Sequence, residues 1–103
     1  MFTVVETLLF QRQWPLYWTE EERGSFAAYV AEHPDCGDVV PQSGGIRKVR
    51  WSRPGMGKSG GVRVIYFVRN AEGEIVLLTL YAKAKTDNLT GAKLKEIRRA
   101  LEK

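Results

Sequence analysis

Lys48 and Arg50 occupy alternate positions in Ile46-Arg47-Lys48-Val49-Arg50-Trp51, and Arg63 stands at the head of Val62-Arg63-Val64-Ile65-Tyr66-Phe67-Val68. Both runs are β-branched and aromatic, so these cations belong to strands rather than to polar loops. Alternate side chains of a strand face opposite ways. Lys48 and Arg50 therefore share a face with Ile46, Arg63 shares one with Ile65 and Phe67, and Arg47 joins Val49 and Trp51 on the other side. In a further run, residues 75–83, the same count puts Tyr81 and Lys83 on the face of Ile75 and Leu77. Antiparallel pairing can bring Lys48, Arg50, Arg63 and Lys83 onto one concave surface with Tyr81 at its border.

This constellation contains no carboxylate and no histidine, so metal-assisted hydrolysis and a Ser-His-Asp mechanism both lack their residues. No metal and no cofactor is expected. Fixed cations suit another reaction, the cleavage of RNA by attack of its own 2′-hydroxyl on the adjacent phosphate. Arginines stabilise the charge that builds on the phosphorane through paired hydrogen bonds. A lysine crowded by other cations can give up its proton near neutral pH and act as general base. A tyrosine, an arginine or a second lysine can serve the leaving 5′-oxygen.

The charge distribution agrees with a polyanionic partner. The 103-residue chain has a formal net charge of +4, but residues 1–38 carry seven acids and two bases, and residues 39–103 carry fourteen bases and five acids. Between Asp38 and Glu72 there is no acid, while Arg47, Lys48, Arg50, Arg53, Lys58, Arg63 and Arg69 all fall in that window. Positive charge fixed on one folded face points to nucleic acid. Arg47, Arg53, Lys58 and Lys85 are expected RNA-backbone contacts around the reacting centre.

Gly57-Lys58-Ser59 has the ending of a phosphate-binding P-loop, yet the pattern needs a glycine where this chain has Ser52, and a helix where Val62 opens a strand. The stretch is better read as a glycine-rich connection whose lysine meets a phosphate backbone as a point charge. A lone cysteine, Cys36, rules out an internal disulfide, and the single histidine, His33, is its only available activating base. The N-terminus has no basic segment followed by an apolar run, and nowhere are there 18 consecutive apolar residues, so a cytoplasmic protein without a membrane segment is expected.

One domain of α+β class must position these residues. Residues 2–7 read as a strand, and residues 8–18 as a short amphipathic segment interrupted by Pro15. Thr19-Glu20-Glu21-Glu22 has capping-box spacing and opens a helix over 20–32, stopped by Pro34 and Gly37. Strands at 46–51, 62–69 and 75–83 form an antiparallel meander, with Asn70-Ala71-Glu72-Gly73 as a hairpin turn. The first strand is free to pair along one edge. Thr90 can cap a last helix lined by Leu94, Ile97 and Leu101. The order β-α-α-β-β-β-α predicts a sheet with an N-terminal helical hairpin and a C-terminal helix, the helices grouped on one face. Trp14, Trp18, Trp51 and Tyr66 are expected in the core.

Gly37-Asp38-Val39-Val40, Gly44-Gly45-Ile46-Arg47-Lys48-Val49-Arg50, Gly57-Lys58-Ser59-Gly60-Gly61-Val62-Arg63-Val64-Ile65-Tyr66 and Leu78-Thr79-Leu80-Tyr81-Ala82-Lys83, in this order and spacing, resemble the RelE/HigB-type toxins of bacterial type II toxin–antitoxin modules. The resemblance spans nearly the whole chain. It implies a RelE-like fold and a metal-independent endoribonuclease that enters the ribosomal A site, cuts the mRNA being translated and so arrests translation. It assigns the scissile phosphate to Lys48, Arg50 and Arg63, and a supporting basic position to Lys83. Several relatives carry a tyrosine near the C-terminus that stacks on the mRNA base; residues 84–103 contain no aromatic residue, which leaves Tyr81 as the substitute. A cognate antitoxin is implied as partner, in this branch a helix-turn-helix protein of HigA type, with operator DNA contacted only through it. Two alternatives remain on the same residues: a ParE-like gyrase poison, which typically lacks the basic cluster, and a non-catalytic RNA- or ribosome-binding module.

Overall fold

The computed structural model describes residues 2–52, 61–82 and 91–101. Five strands form one sheet in the order β1-β5-β4-β3-β2. They are β1 (Thr3–Glu6), β2 (Asp38–Val39), β3 (Arg47–Trp51), β4 (Val62–Arg69) and β5 (Glu74–Ala82), with helices α1 (Leu8–Gln13) and α2 (Glu20–Glu32) after β1 and α3 (Gly91–Leu101) last. β2 to β5 pair antiparallel with their neighbours. β1 takes the predicted edge but runs parallel to β5.

The central strands explain their own composition. β4 and β5 are buried on both faces along most of their length, which requires near-continuous apolar sequence instead of alternation. On one face lies the helical hairpin, whose Phe10, Trp18, Phe26 and Val30 pack with Val64, Tyr66, Leu77 and Leu80. The capping box at Thr19 forms as its spacing predicts: the Thr19 hydroxyl accepts from the Glu22 N–H at 3.1 Å, and the Glu22 carboxylate accepts from the Thr19 N–H at 2.7 Å. Trp18 packs between Phe10 and Phe26, and Phe26 meets Trp51 edge-on at 5.2 Å.

Two expectations need correction. The helices are not grouped on one face: Leu94 and Ile97 of α3 pack on the opposite side of the sheet with Ile46, Ile65, Phe67, Val76 and Leu78. An amphipathic helix shows which of its own faces is apolar, not which side of a two-sided sheet receives it. Nor does Tyr81 share a face with Ile75 and Leu77. Ile65 pairs with Thr79 but Tyr66 pairs with Leu77, so Leu78 is an extra residue in β5. A bulge of this kind reverses the alternation beyond it. Ile75 and Leu77 therefore face the hairpin, whereas Tyr81 faces the α3 side. The Thr7 hydroxyl, which also caps α1 by accepting from the Phe10 N–H, lies 3.0 Å from the carbonyl oxygens of both Leu77 and Leu78 and anchors the bulge.

Candidate nucleic-acid interface

On the α3 face, Arg50 of β3 stands directly opposite Arg63 of β4, and Arg63 directly opposite Tyr81 of β5. Residues directly opposite in an antiparallel pair have Cβ atoms about 4.5–5.5 Å apart and point the same way. Arg50, Arg63 and Tyr81 thus form a row across three strands, and Lys48 lies two residues along β3 on the same face, opposite Ile65. The bulge places Tyr81 in that row; without it, Tyr81 would face the hairpin core. Arg50 and Lys48 are exposed, and Arg63 and Tyr81 are half-buried. Two arginines facing each other repel by up to about 1 kcal/mol, a cost that a bound anion removes.

Arg50 and Arg63 make no hydrogen bond or ion pair among the described residues. Other arginines are committed. Arg23 pairs with Glu6 at 3.4 Å and with Glu20, and its guanidinium lies over Trp14. Arg69 pairs with Glu74 at 3.3 Å. Arg98 donates to the Gly44 carbonyl and stacks 4.5 Å from the Phe67 ring centre. Arg47, expected as an RNA contact, projects to the hairpin side and donates to the carbonyls of Gly37 at 2.6 Å and Asp35 at 3.4 Å. Its guanidinium holds a loop together, on the face away from the row.

Lys83, Arg53, Lys58 and Lys85, together with the Gly57-Lys58-Ser59 connection and the Thr90 cap, lie outside the described residues. Among the described residues no group of His, Cys, Asp and Glu has the arrangement of a metal site, and no helix is long and apolar enough to cross a membrane. A cleft of about 290 Å³ opens at the other end of β4, between Val68, Asn70, Arg47 and Arg98. It is remote from the row, and both of its arginines already serve backbone carbonyls.

The sequence reading missed a carboxylate. Asp38, on the two-residue strand β2, stands directly opposite Lys48, so the basic cluster has an acid at its border. Two residues carry no periodic signal, and β2 is visible only through its pairing. Its position is set by Tyr66, which is fully buried. The Tyr66 hydroxyl donates to the Pro34 carbonyl at 2.9 Å and accepts from the Gly37 N–H at 2.9 Å. Burial, then the Cys36 thiol, push the pKa of this hydroxyl well above the ordinary tyrosine range, against a smaller opposing pull from the Gly37 N–H. Cys36 lies with its sulfur 3.5 Å from the Tyr66 hydroxyl. His33 Nδ1 instead contacts the Tyr29 carbonyl at 3.1 Å, with its ring stacked on Tyr29, so the two do not form a nucleophile–base pair.

The chain matches a protein-family model. The model described as the RelE toxin of the RelE / RelB toxin-antitoxin system aligns with residues 37–103, from the start of β2 through α3.

Proposed function

Because the chain belongs to the RelE toxin family, and is thus the toxin of a toxin–antitoxin system, we propose that it acts as a metal-independent endoribonuclease, cutting mRNA in the ribosomal A site by attack of the 2′-hydroxyl on the adjacent phosphate. The observation that carries this reading is the in-register row Arg50–Arg63–Tyr81. Two facing guanidiniums that the described fold leaves uncommitted match a phosphate that gains charge on the way to the phosphorane. Arg63, flanked by both Arg50 and Tyr81, is the main phosphate ligand. Arg50 shares the charge from β3, Tyr81 serves the leaving 5′-oxygen or stacks on a base, and Lys48 extends the cationic surface along the RNA. Lys83 continues the same role from the end of the last strand, with Arg53, Lys58 and Lys85 as backbone contacts.

The family implies a cognate antitoxin; we place a helix-turn-helix protein of HigA type in that role, contacting operator DNA on behalf of the pair. Growth arrest on expression of the chain, relieved by co-expression of the neighbouring reading frame, tests the toxin–antitoxin assignment. Message cut within the A-site codon of programmed ribosomes, with the magnesium that holds the ribosome together as the sole divalent ion, tests the chemistry. Inhibition of gyrase with intact message would favour the ParE-like alternative, and ribosome binding without scission the non-catalytic one.

A further inference from the structure

We propose that the cleft at the Arg69 end of β4 is a docking site for an extended acidic segment of the cognate antitoxin, one carboxylate of which enters between Arg47 and Arg98. The proposal rests on the toxin–antitoxin assignment and not on the chemistry at Arg50 and Arg63. At about 290 Å³ the cleft is at the small end of ligand pockets, so it suits one side chain with its flanking backbone better than a nucleotide. Its wall combines the guanidiniums of Arg47 and Arg98 and the Asn70 side chain with the apolar Val39 and Val68. A short aliphatic stem ending in a carboxylate matches that mixture, because a guanidinium offers paired donors to a planar anion. Of the lining residues only Asp35 is acidic. It is exposed, and Arg47 holds its backbone carbonyl, not its carboxylate.

The charge of Arg47 is fixed in place and not cancelled. Both of its hydrogen bonds, to the carbonyls of Gly37 and Asp35, run through one terminal nitrogen, Nη1, and it forms no ion pair among the described residues. A carbonyl orients a guanidinium without neutralising it, whereas Arg23 and Arg69 each meet a carboxylate. Arg98 is held by the Gly44 carbonyl and the Phe67 ring, so a second cation stands at the wall already ordered. Groups ordered in advance spare a ligand much of the entropy cost of binding. Val39, an exposed apolar residue, stands directly opposite Arg47 and offers the stem a surface beside the charge. The backbone adds a second feature. β3 begins at Arg47, opposite Tyr66, whereas β4 continues through Phe67, Val68 and Arg69 paired only with β5. Alternate residues of a strand turn N–H and C=O to the same edge, so at least one of these three presents both groups to the side that β3 has left. An extended segment can add to that edge while its side chain enters the cleft.

The test is the affinity of the purified chain for the purified product of the neighbouring reading frame, measured by calorimetry for the wild type, Val39→Glu, Val39→Gln, Asn70→Glu and Ser25→Glu. Val39→Glu sets a carboxylate opposite Arg47 and fills the cleft from within. Val39→Gln has the same shape without the charge, and Ser25→Glu puts the same charge at an exposed position of α2. Val39→Glu is expected to weaken binding at least about tenfold relative to Val39→Gln, and Asn70→Glu to weaken it similarly, because each sets a like charge against the incoming carboxylate. Ser25→Glu should bind as the wild type does, and message cutting should be unchanged in all four variants. Equal affinity of Val39→Glu and Val39→Gln overturns the proposal, as does a loss matched by Ser25→Glu, which would be charge acting at a distance. Slower cutting with unchanged antitoxin affinity would give the cleft to RNA, and a wild-type dimer abolished by Val39→Glu would give it to a second copy of the chain; either overturns the proposal. If the wild type does not bind the neighbouring product, the toxin–antitoxin pairing fails and the proposal with it; wild-type binding insensitive to Val39→Glu and Asn70→Glu defeats the proposal alone.

Discussion

The two ends of β4 treat their arginines differently. At the end running into Arg69, the guanidiniums of Arg47, Arg69 and Arg98 are each engaged with a carbonyl, a carboxylate or an aromatic ring. At the other end, Arg50 and Arg63 face each other across the strands with no partner among the described residues. Side chains of the same type are structural in one place and available in the other. Charge counted along the chain cannot separate them, because the distinction lies in what the neighbouring backbone offers. A carbonyl turned toward a guanidinium makes a strut; a second guanidinium opposite leaves a binding site that is costly until an anion arrives.

Substitutions can break this contrast from either side. The largest effect is expected for Arg63→Ala, which should lower cleavage by at least about a hundredfold, as loss of one group stabilising a developing charge typically does. It should leave the melting temperature close to that of the wild type. Arg98→Ala should do the reverse, destabilising the fold by about 1–3 kcal/mol in urea titration through loss of the Gly44 bond and the Phe67 stack, while the cleavage rate of the folded fraction is kept.

Tyr66→Phe is expected to cost about 1–3 kcal/mol, because the buried Gly37 N–H and Pro34 carbonyl lose their partner. It should also change the alkaline limb of stability. The Tyr66 hydroxyl titrates above its unfolded value near 10.0, so its contribution is fully present below that pH and is lost as the pH rises beyond it, where the unfolded chain gives up the proton first. The wild type should therefore lose stability above pH 10 more steeply than Tyr66→Phe, as read by urea midpoints across that range.

The smallest effect is the most diagnostic of a stored repulsion. Arg50→Thr removes one of two facing like charges and installs a good strand former, so it should raise stability by about 0.2–1 kcal/mol while lowering cleavage. A loss of stability would mean that Arg50 is a strut like Arg98 after all.

How much of this was legible in the sequence varies element by element. The capping box at Thr19 and the apolar runs of β4 and β5 are local signals, and each formed as its spacing predicts. Arg50 and Arg63 were placed together correctly because both lie on strands joined by a simple antiparallel register. Tyr81 was expected at the border of the same surface, but for a face count that the bulge at Leu78 overturns. That bulge is held by Thr7, seventy residues earlier in the chain, and no local pattern announces it. Arg47 looked like its neighbours until the loop carbonyls at Asp35 and Gly37 were in place. Asp38 was read as the end of an acidic segment and as part of the Gly37-Asp38-Val39-Val40 motif, but its place opposite Lys48 depends on a strand pairing that two residues do not announce.

The central claim is that the Arg50–Arg63 end of the sheet handles a scissile phosphate. The most direct measurement is primer extension on programmed ribosomes incubated with the purified wild-type chain and with Arg63→Ala. The account predicts a cut within the A-site codon for the wild type and none above background for Arg63→Ala at equal folded concentration. Equal cutting by both, or none by either, would contradict it.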